Sequence, residues 1–165
     1  MNIARVIRHL LAPHWIVRRT FPRAALDRIE RAIRESERSH DGELRFAVEA
    51  GLDLLPIMKG ITPRQRAIEI FSRLRVWDTE HNSGILIYVQ LIDRDIEIVA
   101  DRGINARVTP AEWEGICRGV EQGLARGAYA QAIVDGIKEI SLLLARHYPP
   151  RPGGRNELPD KPAVL

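Results

Sequence analysis

A chain of 165 residues with 45% hydrophobic content is long enough to build one core, so a single domain is expected. Its formal charge of +3, from 25 basic and 22 acidic residues, is too small to point to nucleic acid. Cys117 is the single cysteine, which excludes an internal disulfide or a multi-cysteine zinc site and fits a reducing compartment, the cytoplasm.

Residues 1–21 form a basic amphipathic arm. Ile3, Val6, Ile7, Leu10 and Leu11 fall at helical spacing, and Arg5, Arg8, Arg18, Arg19 and Arg23 occur before the first acid of the chain. Two readings of this arm are open. In one, residues 1–20 lie on an anionic membrane, peripheral at its inner face, with Trp15 among the headgroups. In the other, the arm packs on its own domain or a partner. The apolar stretch is interrupted by charge and followed by no small-residue cleavage site, so it does not resemble a leader peptide. No apolar run approaches the length that spans a bilayer.

The domain proper is expected over residues 22–148. Pro22 opens a helix with a stripe of Ala25, Leu26, Ile29, Ala32 and Ile33, ending near residues 39–42. Residues 44–48 alternate with charged neighbours as a strand does, and residues 51–60 form a loop without a clear period. Thr62-Pro63-Arg64-Gln65 is a capping box with proline at the first helical position, predicting a helix from 63 to about 74. Residues 84–91 form a continuous apolar strand. A tight turn at Asp93-Arg94 returns residues 95–100 as its antiparallel partner. Thr109-Pro110-Ala111-Glu112 is a second capping box, starting a helix to about 126, and a last helix spans roughly 128–147. Pro149 and Pro150 end it, and the proline- and glycine-rich tail, residues 149–165, is expected to be extended or disordered. Helices alternating with strands in this order predict an α/β fold, a small mixed sheet covered by helices on both faces.

The stretch 76–103 carries the chemistry. Asp78, Glu80 and Asn82 place oxygen ligands at alternate positions before a strand, as a hard cation requires. An EF-hand is excluded, because the glycine comes one place late and the twelfth position is the apolar Val89. Asp101 ends the partner strand and is the obvious residue to complete a cation site. Arg102 beside it offers a planar fork for phosphate. The alternative is that Asp78 and Asn82 cap turns while Asp101 and Arg102 form an internal ion pair. His81 stands in the same loop as a general acid or base, or as a solvated side chain. Neither a nucleophile elbow nor a glycine-rich nucleotide loop is present. The basic arm lacks interleaved stacking aromatics, so no nucleic-acid partner is expected.

Together the elements GELRFAVE, RQRAIEIFSRL, WDTEHNSGILIYVQ, IEIVADRGI and RGAYAQAIVDGI resemble the TPM-domain family, over residues 26–147. That family includes a thylakoid-lumen protein of photosystem repair and many bacterial proteins. The resemblance implies an αβα sandwich, with Ca²⁺ or another divalent ion such as Mg²⁺ near the strand ends. On the family's pattern the metal positions fall on Asp78, Glu80, Asn82 and Asp101. Phosphatase activity has been attributed to the plant member. Many bacterial relatives carry a signal peptide and a C-terminal membrane helix, patterns not found in this sequence, which argues against an exported or anchored role. Two functions remain. One is a non-catalytic binding or scaffold module, cation-stabilised, with a protein partner in assembly or quality control of a larger complex. The other is a metal-assisted phosphatase, with Asp78 and Asp101 on the cation and Arg102 on the phosphate.

Overall fold

The computed structural model describes residues 15–52, 56–57, 60–151 and 155–165. Residues 1–14, which hold most of the expected amphipathic arm, lie outside the described residues, as does part of the expected loop at 51–60.

Among the described residues four strands form one sheet, in the order β3-β2-β1-β4. The strands are β1 (Glu43–Glu49), β2 (Gly84–Gln90), β3 (Asp95–Ala100) and β4 (Ala163–Val164). β1 runs parallel to both β2 and β4, while β2 and β3 are antiparallel, so the sheet is mixed as expected. Among the described residues six helices surround it: α1 (Trp15–Thr20), α2 (Arg23–Ser36), α3 (Pro63–Arg73), α4 (Arg102–Asn105), α5 (Pro110–Ala125) and α6 (Tyr129–His147).

The period of two along each strand sorts the two faces. Leu44, Phe46 and Val48 of β1 join Ile85, Ile87 and Val89 of β2 in the larger core, beneath α2, α5 and α6. The intervening residues Ala47, Leu86 and Tyr88 face α3, which contributes Ala67, Ile70 and Phe71. Because β1 and β2 are parallel, a crossover must join them, and α3 is that crossover. Helices therefore cover both faces, and the αβα sandwich is established.

Both capping boxes form. Thr62 N–H donates to Gln65 Oε1 at 2.9 Å and Gln65 N–H returns to Thr62 Oγ1 at 3.2 Å. Thr109 N–H donates to Glu112 Oε2 at 2.8 Å. The hairpin differs from expectation in its turn. Residues 91–94 all lie between β2 and β3, with Arg94 at φ 56° and Asp93 N–H on Gln90 Oε1, so the loop has four residues rather than two.

At the N-terminal end, Val17 and Phe21 are buried in the larger core, where the Phe21 ring meets Phe46 at 5.6 Å and Tyr129 at 6.1 Å. This part of the arm packs on the domain. The tail also packs. Leu158 is buried beneath the α3 face, Arg45 Nη1 donates to the carbonyls of Pro159 and Lys161, and Leu165 N–H donates to Val48 O at 3.0 Å. Residues 155–165 are thus extended but docked, not disordered. Among the described residues no helix is long and apolar enough to cross a membrane.

Candidate functional site

The starts of β1 and β2 and the end of β3 lie along one edge of the sheet, since β3 runs opposite to β2. After α3, the chain reaches β2 through a series of turns over residues 75–83. Asp78 N–H donates to Arg75 O at 3.0 Å, and Asn82 N–H to Thr79 O at 3.2 Å. Ser83 N–H is held by Thr79 Oγ1 at 2.9 Å. Asn82 takes φ 53°, a left-handed conformation that asparagine tolerates better than most residues. The turns press the start of β2 against Val76, so that a Cβ on Gly84 would lie 1.8 Å from Val76 O.

On the neighbouring strand, Asp101 caps α4 and its Oδ1 accepts Arg102 N–H at 2.7 Å. Arg102 Nε then donates to Asn82 Oδ1 at 2.9 Å. Gly103 sits so close to the loop that a Cβ there would be 2.5 Å from Asn82 O. A hydrogen bond from Tyr148 Oη to Gly103 O fixes the same corner from α6's end. Asn82, Asp101 and Arg102 are therefore joined in one hydrogen-bonded chain that fastens α4 to the loop.

The other predicted ligands are placed differently. Asp78 and Glu80 have exposed side chains, and Glu80 Oε2 stands 3.9 Å from the exposed His81 imidazole. Among the described residues, no three His, Cys, Asp or Glu side chains gather as a metal site. Asp101 Oδ2 is buried without a hydrogen-bond partner among the described residues, and so offers one oxygen to a cation. Asn82 Oδ1 is already taken by a guanidinium. A Ca²⁺ ion takes six to eight oxygens, so the four residues as arranged supply only part of a ligand set. Arg102, the expected phosphate-binding residue, has its Nε committed to the loop. Cys117, away from this edge, has its thiol pushed up to about 11 by burial and keeps its proton.

Beside this corner lies a polar cleft of about 930 Å³, bounded by the end of α2, the start of β1, the Glu80-His81 loop and the tail. Its buried acids carry raised pKa values. Burial pushes the Glu37 carboxyl up to about 8, helped by the charges of Glu43 and Asp160, although Leu44 N–H donates to its Oε1 at 2.9 Å. Burial likewise raises Glu43, whose Oε2 accepts the N–H groups of Glu157 and Leu158 at 3.1 and 3.0 Å. Burial alone would raise Asp41, but hydrogen bonds from the Arg151 side chain and backbone hold it below the usual range.

His40 is one of the residues lining this cleft and is 2% exposed. Burial pulls its imidazole down to about 4, so the neutral form dominates at pH 7. Gly42 N–H donates to Nδ1 at 3.2 Å, which leaves the ring proton on Nε2. Among the described residues that Nε2 has no hydrogen-bond partner. Glu37, His40 and Glu43 fall at steps of three across the helix-to-strand connection. That spacing was the available sequence signal, and it is hidden among residues that read as a helix end and a strand start.

A family model described as the TPM domain matches residues 18–142 of the chain. No curated protein matches it. Among solved structures, the chain is similar to the NMR structure of the BA42 protein from the psychrophilic bacterium Bizionia argentinensis. The two share 28% identity with a TM-score of 0.77, over 86% of this chain and 93% of that one. The N-terminal domain of the cg2496 protein from Corynebacterium glutamicum has the same fold at 11% identity, with a TM-score of 0.55, over 74% of this chain and 72% of that one.

Proposed function

The chain belongs to the TPM-domain family, and from that premise we propose that it is a non-catalytic binding module working through the polar edge where β1 and β2 begin. The observation that carries this reading is the Asp101–Arg102–Asn82 hydrogen-bond chain. Phosphoester hydrolysis needs a cation, an activated water and free positive charge on the phosphate. Here the arginine and the amide are spent on holding α4, while His81 is exposed and makes no hydrogen bond among the described residues. Glu80 and His81, in the loop that this corner holds, line one side of a cleft with unpaired donors, the equipment of recognition. The proposal places the module in the cytoplasm with a protein partner, in the assembly or quality control of a larger complex. Residues 1–20 add a basic segment for contact with an anionic inner membrane face. A divalent cation belongs to it at Asp101, whose Oδ2 has no hydrogen-bond partner among the described residues.

Two measurements test this. Phosphoester turnover should be at background in the wild type, Asp78→Ala and Asp101→Ala alike, with Ca²⁺ or Mg²⁺ present. Turnover in the wild type that disappears in Asp101→Ala would replace this reading with the metal-assisted phosphatase. Calorimetric titration with each cation should give heat in the wild type and none in Asp101→Ala. A flat wild-type titration removes the cation from the proposal and leaves the binding module standing.

A further inference from the structure

The hydrogen bonds of the cleft leave a definite remainder. Its acids are engaged: Asp41 with Arg151, Glu43 with two tail N–H groups, Glu37 with Leu44 N–H, and Glu157 Oε2 with Glu80 N–H at 2.9 Å. Glu80 itself is 79% exposed and points to solvent. Two of the lining arginines are also engaged, Arg34 with Asp160 and Glu30, and Arg151 with Asp41. Three donors are not. His40 Nε2–H is buried without an acceptor, and Arg38 and Arg155 make no ion pair among the described residues. A buried donor left unsatisfied is costly, so a group that supplies an acceptor there is bound favourably.

We propose that this cleft binds a carboxylate, presented by a small organic acid or by the C-terminus of a partner peptide, with His40 Nε2–H at its base and Arg38 and Arg155 at its mouth. The proposal rests on the binding-module reading and names the chemistry it recognises. The tautomer of His40 argues against a metal, because a ring nitrogen that carries a proton has no lone pair for one. The charge of the walls argues against a dianion. Arg34, Arg38, Arg151 and Arg155 are balanced by Asp41, Glu43, Glu80 and Glu157, with Glu37 and His40 neutral. A singly charged, planar carboxylate suits the guanidinium fork and adds little repulsion against Glu43 and Glu157. The cleft is also far larger than a lone ion needs, leaving room for the chain that carries the carboxylate.

The experiment follows the His40 side-chain nitrogens by NMR in the full chain at pH 7. Acetate, trialanine with a free C-terminus, amidated trialanine, inorganic phosphate and chloride are added in turn at matched ionic strength. Saturable shifts of Nε2 with acetate and free trialanine, absent with amidated trialanine and chloride, are expected. A response to acetate alone assigns a small acid, and a stronger response to the free peptide assigns a chain terminus. His40→Phe should weaken binding at least about tenfold. Should that variant fail to fold, the exposed Arg155→Ala should weaken it about threefold. No saturable shift with either carboxylate, or a shift with phosphate alone, overturns the proposal. Those outcomes leave the binding module intact, whereas turnover dependent on Asp101 sinks the module and not the carboxylate site.

Discussion

Glu49 and Arg66 show how much one residue pair can decide in this molecule. Arg66 on α3 meets Glu49 on β1 through two guanidinium nitrogens, at 2.5 and 3.1 Å, and Tyr88 Oη donates to the same carboxylate at 2.6 Å. Both charged side chains are buried, so neither can fall back on water if its partner is lost. Replacing Arg66 by methionine should therefore cost about 3–5 kcal/mol, read from the urea midpoint, because Glu49 is left charged and buried. A loss below about 1 kcal/mol would mean that water reaches the carboxylate. At this scale the sequence was informative where the signal is local. Asn82, Asp101 and Arg102 were legible because each flanks an apolar strand. Glu37 and Glu43 were not, because their surroundings include groups 114 to 119 residues away, Glu157 on Glu43 and Asn156 on Glu37, and His40 stands between them in the sequence.

Elements with strong local chemistry were equally legible. A threonine, a proline and a glutamine or glutamate at fixed offsets give a helix start whatever surrounds them, and both such starts are present. Short elements were not. α4 has four residues and β4 has two, too few for a period, and each forms because something else holds it. For β4 the holder is β1, through the Ala47–Ala163 and Val48–Val164 pairs, with Leu158 as the buried anchor of the tail. Leu158→Ala should lower stability by about 2 kcal/mol or more. Limited proteolysis of this variant should cut first within residues 149–165, and cutting first elsewhere would show that the tail is held by its polar bonds alone.

For the molecule as a whole, the cleft makes stability depend on pH. Glu37 rises from its ordinary 4.5 to about 8, so the folded chain keeps a proton that the unfolded chain loses, and stability falls as pH rises through that window. His40 drops from 6.5 to about 4, so its contribution runs the other way, stability increasing between those two values. Above pH 6.5 only the Glu37 slope remains. It is set by burial, by Glu43 and Asp160 on β1 and the tail, and against them by Arg34 on α2. Unfolding free energy should fall by about 1–2 kcal/mol between pH 6.5 and 8. Glu37→Gln should flatten that interval, and an unchanged slope would place the titrating group elsewhere. The sandwich itself was legible from the order of elements, since alternating helices and strands have few ways to bury their apolar faces. The cleft was not, because it is made by the tail returning to an edge formed much earlier in the chain.

That return also sets an order of events in synthesis. β1 is made early, yet the strand that closes its outer side, β4, pairs Ala47 with Ala163. While α3, β2, β3, α5 and α6 are still emerging, a nascent chain carries β1 with an open row of backbone donors and acceptors, the kind of edge that joins other chains. Until β4 has been made and docks, that side of β1 stays open to mispairing, and a chaperone would find its target there.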